Sequence, residues 1–307
     1  MTGTVVTVGS FDGLHRGHQA VIAEIVRRAR ERGLESLVVT FEPHPLEVVN
    51  PGAAPRLLST AAEKRALLAE TDADRVAVLE FTPELARLAP EEFVREILRD
   101  RFELAELVLG HDHGFGRGRS GDLETVRRLG EADGFRVDAV APVLDERGQA
   151  ISSTLVRTAV AHGNLDAAAG WLGRRYSVTA EVQRGAGRGR TIGVPTANLA
   201  PADPRKLLPP DGVYAVWVKG AGRGKGEEGR VGGMMNQGPR PTFGVEARGL
   251  EVHLFDFDGD LYGRTITVEW VRRLREVRTF PSREALVEQL AEDARSAEAS
   301  LKLQEAP

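Results

Sequence analysis

Up to about residue 160 the chain alternates between two hydrophobic periods. Thr4–Val8 is a short β-branched run, the pattern of a buried strand. Residues 9–17 are rich in glycine and turn formers. Ile22, Ile25, Val26 and Ala29 then recur at helical spacing within 18–32, and Gly33 stands where a left-handed stop is needed. Residues 37–41 (LVVTF), 75–81, 106–109 and 135–140 read as further strands. Between them, Thr60 and Glu63 form a capping box for a helix through residue 70. Residues 91–102 bring Phe93, Val94, Ile97 and Leu98 to one side, and 122–132 predict another helix. Apolar strands alternating with amphipathic helices predict βαβ units around a parallel sheet. Ser152 then caps a helix to about residue 161, and Asn164 opens one that ends at 172.

After Arg174 the texture changes. Residues 176–183, 212–218, 249–257 and 264–270 read as strands separated by Gly/Pro-rich turns, which predicts an antiparallel sheet or small barrel. Residues 220–230 (GAGRGKGEEGR) read as a polar surface loop. Ser282 begins a last helix with Leu286, Leu290, Ala294, Ala297 and Leu301 near one face. The expected architecture is an α/β N-terminal domain with a parallel sheet (1–172), then a C-terminal antiparallel β-barrel domain with a terminal helix (173–307).

Composition narrows the chemistry. The chain has 307 residues, 41% hydrophobic and 28% charged, enough to bury one or two cores. A net charge of −4 argues against a general nucleic-acid backbone binder, so no nucleic-acid partner is expected. No apolar run approaches the ~20 residues of a membrane span, and the first residues lack the pattern of a secretory signal. No membrane partner and a cytoplasmic location are therefore expected. Cysteine is absent, which excludes disulfides, thiolate catalysis and Cys-based metal centres.

The first chemical motif follows the first strand: Gly9-Ser10-Phe11-Asp12-Gly13-Leu14-His15-Arg16-Gly17-His18. A helix beginning within or just after it offers free N–H groups and partial positive charge to a phosphate. Gly9, Gly13 and Gly17 let the backbone turn tightly, and His15 and His18, three apart, can serve one phosphate. An H-x-x-H pair can also be a metal site, or a surface pair without function. The second motif is Ile151-Ser152-Ser153-Thr154-Leu155-Val156-Arg157. Here Ser153, Thr154 and Arg157 at a helix N-terminus can converge on one anion. An ordinary serine cap with a solvated arginine is the plainer alternative.

In the second half, Gly185 to Asn198 reads GAGRGRTIGVPTAN, glycine-dense and without the G-K-[ST] of a Walker loop. Thr196 and Asn198 are oxygen donors two apart in an extended stretch, so both can face one side. Such ligands with nucleotide phosphates suit Mg²⁺; a glycine-rich hairpin is the plainer alternative. Downstream, NQGPRPTF (236–243) precedes LEVHLFDFDGDLYG (250–263). There Glu251, His253 and Phe255 share one strand face while Val252 and Leu254 share the other. A carboxylate so placed can take a proton from a hydroxyl, or it is simply an exposed strand glutamate.

These segments carry a resemblance. GSFDGLHRGH, TFEPHP (40–45), LVLGHDHGFGRGRSGD (107–122) and ISSTLVR resemble the Rossmann-like HxGH nucleotidyltransferases, and more closely the FMN adenylyltransferase module of bacterial bifunctional riboflavin kinase/FAD synthetases. PTAN, N-x-G-x-R-P-T-F and E-x-H-L-F-D-F-x-G-D-L-Y-G resemble that family's riboflavin kinase barrel, and Arg174-Arg175-Tyr176 its inter-module join. The resemblance runs from residue 5 to about 290. His113 stands where the family usually has an aromatic, and Val194 where it often has Phe.

The resemblance implies two activities. The barrel would phosphorylate riboflavin to FMN with Mg²⁺–ATP, and the α/β module would join AMP from ATP to FMN, giving FAD and pyrophosphate. It implies catalytic roles for Glu251, His15 and His18, and Mg²⁺ ligation by Thr196 and Asn198. Nucleotide contacts are implied for Gly9, Phe11, Gly17, Ser153, Thr154, Arg157, Gly187, Gly193 and Pro195. Flavin contacts are implied for Asp112, Phe115, Arg240 and Phe243. ATP, riboflavin and FMN would be the small-molecule partners. Two alternatives stay open on the residues: a non-catalytic flavin-binding or regulatory protein, and an HxGH nucleotidyltransferase with another substrate.

Overall fold

The computed structural model describes residues 3–110, 123–184, 194–201, 203–222, 229–239 and 248–303. The chain forms two compact units, Met1–Val156 and Arg157–Pro307.

The first unit is built on a parallel sheet of β1 (Thr4–Val8), β2 (Glu35–Glu42), β3 (Arg75–Glu80), β4 (Leu104–Gly110) and β5 (Arg136–Val140), in the order β3-β2-β1-β4-β5. Every pairing is parallel, as the alternation of strand and helix periods predicts. The short segment β1 is buried at all five positions because helices cover both of its faces.

On one face lie α1 (Arg16–Arg32) and α3 (Ala61–Ala69), the latter reached through the short α2 (Pro45–Val49). Val21, Ile22, Ile25, Val26 and Ala29 of α1, with Leu68 of α3, pack on Val5, Val38 and Val108. The expected Thr60–Glu63 capping box is present, and Gly33 closes α1 at φ 63°. Arg28 of α1 donates to Glu106 of β4 at 2.6 Å and to Asp138 of β5 at 2.7 Å, and Arg32 also reaches Glu106. These bonds pin the C-terminal half of α1 to the sheet, and Arg28 holds the Asp138 carboxyl below its ordinary value.

On the other face, α4 (Pro83–Arg87) and α5 (Pro90–Glu92) lead into a π-helix, Phe93–Arg99, followed later by α6 (Leu123–Asp133). Phe93, Val94, Leu98, Val126 and Leu129 cover Val6, Leu37 and Leu107. The α-helix expected over 91–102 is thus wound more widely over its central turns, while Phe93, Val94 and Leu98 still face inward. Ile25 is fully buried. Ile25→Ala is expected to destabilise this unit by about 2–5 kcal/mol, read as faster hydrogen exchange of α1 and β1 amides.

The division between units falls inside α7 (Ser153–Ala161), which α8 (Leu165–Leu172) follows. The second unit is a closed antiparallel barrel in the order β10-β7-β6-β11-β8-β9. Its strands are β6 (Ser177–Gln183), β7 (Ala197–Pro201), β8 (Gly212–Lys219), β9 (Val231–Pro239), β10 (Arg248–Leu254) and β11 (Thr265–Arg275). The hydrophobic pattern predicts β6, β8, β10 and β11; β7 and β9 are additional, and they complete the closure.

The terminal helix α9 (Arg283–Leu303) packs Ala297 and Leu301 against Ala215, Trp217, Met234 and Val271. Asp293, buried in this contact, takes a two-pronged bond from Arg275 at 2.9 and 2.7 Å and a third donor from Gln289 at 2.8 Å. A buried carboxylate is tolerated because its oxygens are satisfied.

Candidate active sites

In the first unit β1 continues to β2 and β3 on one side, while β4 and β5 lie on the other. The order reverses between β1 and β4, and ligands of open parallel sheets bind at the strand C-termini beside such a reversal. Residues 9–15 leave β1 at that point and feed the N-terminus of α1.

His15 is the N-cap of α1, which begins at Arg16, two residues ahead of the helix expected from 18–32. Its Nδ1 accepts the His18 N–H at 3.4 Å, so the neutral ring carries its hydrogen on Nε2. The His15 and His18 rings stack with centroids 3.7 Å apart and planes 19° apart, and Phe11 meets His18 edge-on at 5.1 Å. His15 and Phe11 are buried and His18 is half-buried. A Cβ on Gly17 would sit 3.1 Å from the His15 ring and 3.3 Å from the Ile151 carbonyl, so glycine lets the two motifs approach. A Cβ on Gly9 would meet the Phe11 ring at 3.2 Å.

The ISST segment joins the same site. Residue 151 is held in a small hairpin, with Ile151 N–H donating to Val143 O at 2.9 Å and Leu144 bridging Ala150. Ser152 then caps α7 through Leu155 N–H at 3.2 Å. Ser153 Oγ donates to the Asp12 carbonyl at 2.9 Å, tying this helix start to the first loop. Thr154 is exposed beside it, and Arg157 lies one helical turn in. TFEPHP closes β2 and opens α2, where His44 and Glu47 form a capping box. Beneath it Lys64, almost fully buried, donates from Nζ to the Phe41 carbonyl at 2.6 Å. Burial pushes its ammonium below the ordinary value, against the pull of Glu42 and Asp12.

In the second unit the register assembles the polar site. Glu251 of β10 pairs with Asn198 of β7 on one side and Asn236 of β9 on the other, and Asn198 pairs with Gln183 of β6. Cross-strand partners share a face, so the row Gln183–Asn198–Glu251–Asn236 crosses four strands. Leu250 and Val252 turn the other way and are fully buried. Thr196 precedes β7 on the Asn198 side of the alternation; both are half-buried while Ala197 and Leu199 are buried. Pro195 is exposed, and its carbonyl bonds to His253 Nδ1 at 2.7 Å, which fixes the PTAN turn against β10 and places the proton on that nitrogen. Hard oxygen donors beside a carboxylate fit Mg²⁺–nucleotide chemistry.

Gly187, Gly193, Asp112, Phe115, Arg240 and Phe243 lie outside the described residues. Four polar groups escape the sequence reading. Asp12 and Ser59 meet across 47 positions, Lys64 looks like an ordinary helix-surface lysine, and His253 shows its role only once Pro195 is placed. Asn236 stands within a quoted motif, yet only the strand register gives it Glu251 as a neighbour. Among the described residues no cluster of three His, Cys, Asp or Glu could hold a metal, so the His15–His18 pair gains no third ligand there.

The comparisons with known proteins agree with this division. The family model for FAD synthetase matches residues 1–155, and that for riboflavin kinase matches residues 172–301. The bifunctional riboflavin kinase/FMN adenylyltransferase of Pseudomonas fluorescens is 40% identical over 298 residues, covering 97% of this chain and 93% of that protein. Its counterpart from Escherichia coli K12 is 38% identical, covering 95% and 90%. Among solved structures, a Streptococcus pneumoniae protein named a macrolide-efflux protein superposes with a TM-score of 0.82 at 34% identity, covering 95% of this chain and 92% of that one. That name speaks of transport, whereas among the described residues no helix is long and apolar enough to cross a membrane. With both halves matched in order and nearly the whole length covered, the chain belongs to the bifunctional riboflavin kinase/FMN adenylyltransferase family, its adenylyltransferase half preceding its kinase half.

Proposed function

We propose that the two activities divide at 172/173 and that the residues above carry them. In the kinase, Glu251 takes the proton of the riboflavin ribityl hydroxyl as its oxygen attacks the γ-phosphorus of ATP and ADP leaves. The single observation that supports this best is the Asn198–Glu251–Asn236 row, which seats a carboxylate between two amides on one face. Among the described residues no ion pair or hydrogen bond occupies that carboxylate. Thr196 and Asn198 would hold Mg²⁺, which when bound neutralises phosphate charge; His253 keeps their turn in place through Pro195.

In the adenylyltransferase a phosphate oxygen of FMN attacks the α-phosphorus of ATP, and pyrophosphate leaves. No enzyme nucleophile is needed. His15 and His18 offset charge gathering on the phosphates, while Ser153, Thr154 and Arg157 hold the triphosphate at the start of α7. Gly9, Phe11 and Gly17 shape the backbone and wall around the nucleotide. Flavin contacts by Asp112, Phe115, Arg240 and Phe243, nucleotide contacts by Gly187, Gly193 and Pro195, and a cytoplasmic location belong to the same proposal.

Riboflavin, ATP and magnesium incubated with the purified chain are expected to give ADP with FMN, then pyrophosphate with FAD. EDTA is expected to stop product formation. Binding of flavin with neither product released would support a purely regulatory protein and end this reading; adenylylation of a substrate other than FMN would reassign the first half.

A further inference from the structure

The first loop makes an unfavourable backbone excursion. Phe11, Gly13 and Leu14 all have positive φ, at 47°, 79° and 39°. Only glycine adopts this region freely, so the loop needs outside support to stay there. A Cβ on Gly13 would come within 2.9 Å of Leu58 Cβ, so the loop already lies against segment 57–60. Asp12 makes the connection. Its Oδ2 accepts the Leu58 N–H at 2.9 Å; its Oδ1 accepts the Ser59 N–H at 2.8 Å and the Ser59 hydroxyl at 3.0 Å. Ser59 Oγ in turn accepts the Gly13 N–H at 3.0 Å. The Asp12 carbonyl receives Ser153 Oγ. The residue is 3% exposed and its carboxylate points into protein, so it does not touch substrate.

We propose that Asp12 is a positioning residue for adenylyl transfer. Its carboxylate ties the histidine loop to segment 57–60, and its carbonyl ties the same loop to the helix start that carries Ser153 and Thr154. It thereby holds the two phosphate-binding motifs at a fixed separation. Asp12 is suited to this because a carboxylate can accept from three donors at once. An amide of the same shape would place an N–H against the Leu58 N–H. The proposal rests on the assignment of His15, His18 and the ISST segment to the transferred phosphates.

The test uses the full chain: kinase turnover reports on the second unit in every variant, and a circular dichroism spectrum with its thermal transition reports whether the first unit is folded. Asp12→Ala is expected to lower kcat for FAD formation by about 10²-fold, the scale of a 1 Å misplacement, with KM for ATP changed less than about threefold because ground-state contacts survive. Asp12→Asn is expected to recover part of kcat. Ser59→Ala is expected to lower kcat by about tenfold, and the double variant to be no slower than Asp12→Ala, since both act through one connection. Unchanged kcat in Asp12→Ala overturns the proposal. So does a loss that falls on KM alone, or additive effects in the double variant. If Asp12→Ala does not fold, Ser59→Ala decides by the same split. His18→Ala runs in parallel: if it leaves FAD formation intact, the site assignment fails; if it cuts FAD formation while Asp12→Ala leaves kcat unchanged, only the positioning role fails.

Discussion

Replacing His18 with alanine is expected to cut FAD formation by about 10²–10³-fold, the usual loss when one preorganised charge-stabilising donor is removed. FMN formation from riboflavin is expected to continue at its native rate. His18 sits in the first turn of α1, at the positive end of the helix, stacked on His15 and braced by Phe11. Charge gathers on the phosphates as pyrophosphate leaves, and a ring fixed at a helix N-terminus meets that charge without reorganising. Alanine leaves the helix intact, because residue 15 rather than 18 is the cap and the packing face of α1 runs through Val21, Ile22, Ile25 and Val26. The groups proposed for the kinase belong to the other compact unit. Chromatographic separation of riboflavin, FMN and FAD from one incubation reads both activities at once. Equal loss of FMN and FAD would refute the separation of the sites.

Glu251→Gln is expected to lower riboflavin phosphorylation by about 10²–10⁴-fold, the range of a general base, while FMN supplied directly is still converted to FAD. Glutamine keeps the length of the side chain and can hydrogen-bond within the row, so β10 should keep its register with β7 and β9. It cannot accept a proton at neutral pH. Initial rates of ADP release with riboflavin as substrate, beside a circular dichroism spectrum, check the two parts. A variant that turned over at the native rate would remove Glu251 as the base.

The parallel sheet is legible because each buried strand advertises itself. TVVTV and LVVTF are too short and too β-branched for helices, and the intervening helices carry capping signals such as Thr60/Glu63 and Gly33. The barrel is only half legible. Strand β9 contains Gly232, Gly233 and Gly238, which carry no side chain to show an alternation. Yet a Cβ at Gly233 would lie 2.5 Å from the His253 carbonyl, so the glycine exists to let β9 approach β10. Strand β7 hides for a related reason: ANLAP is short, follows a glycine-dense run and ends on proline. The widened turns over Phe93–Arg99 leave no mark in the pattern, since the same residues face inward in either winding. Chemistry follows the same rule. Groups grouped in sequence, such as His15 with His18 or Ser153 with Thr154, can be read from spacing. Groups brought together by closure of the chain, such as Asp12 with Ser59 or Glu251 with Asn236, cannot.

If Glu251 is the proposed base, the row across β6, β7, β10 and β9 makes turnover a reporter of alignment. Sheet faces alternate with a period of two. A one-residue slip of β10 would drive Glu251 toward the barrel interior and expose Val252, now fully buried. A barrel assembled one step out of phase would thus lose the carboxylate proposed as proton acceptor and its packing together, so under that proposal every molecule that phosphorylates substrate has ended its folding in the native alignment.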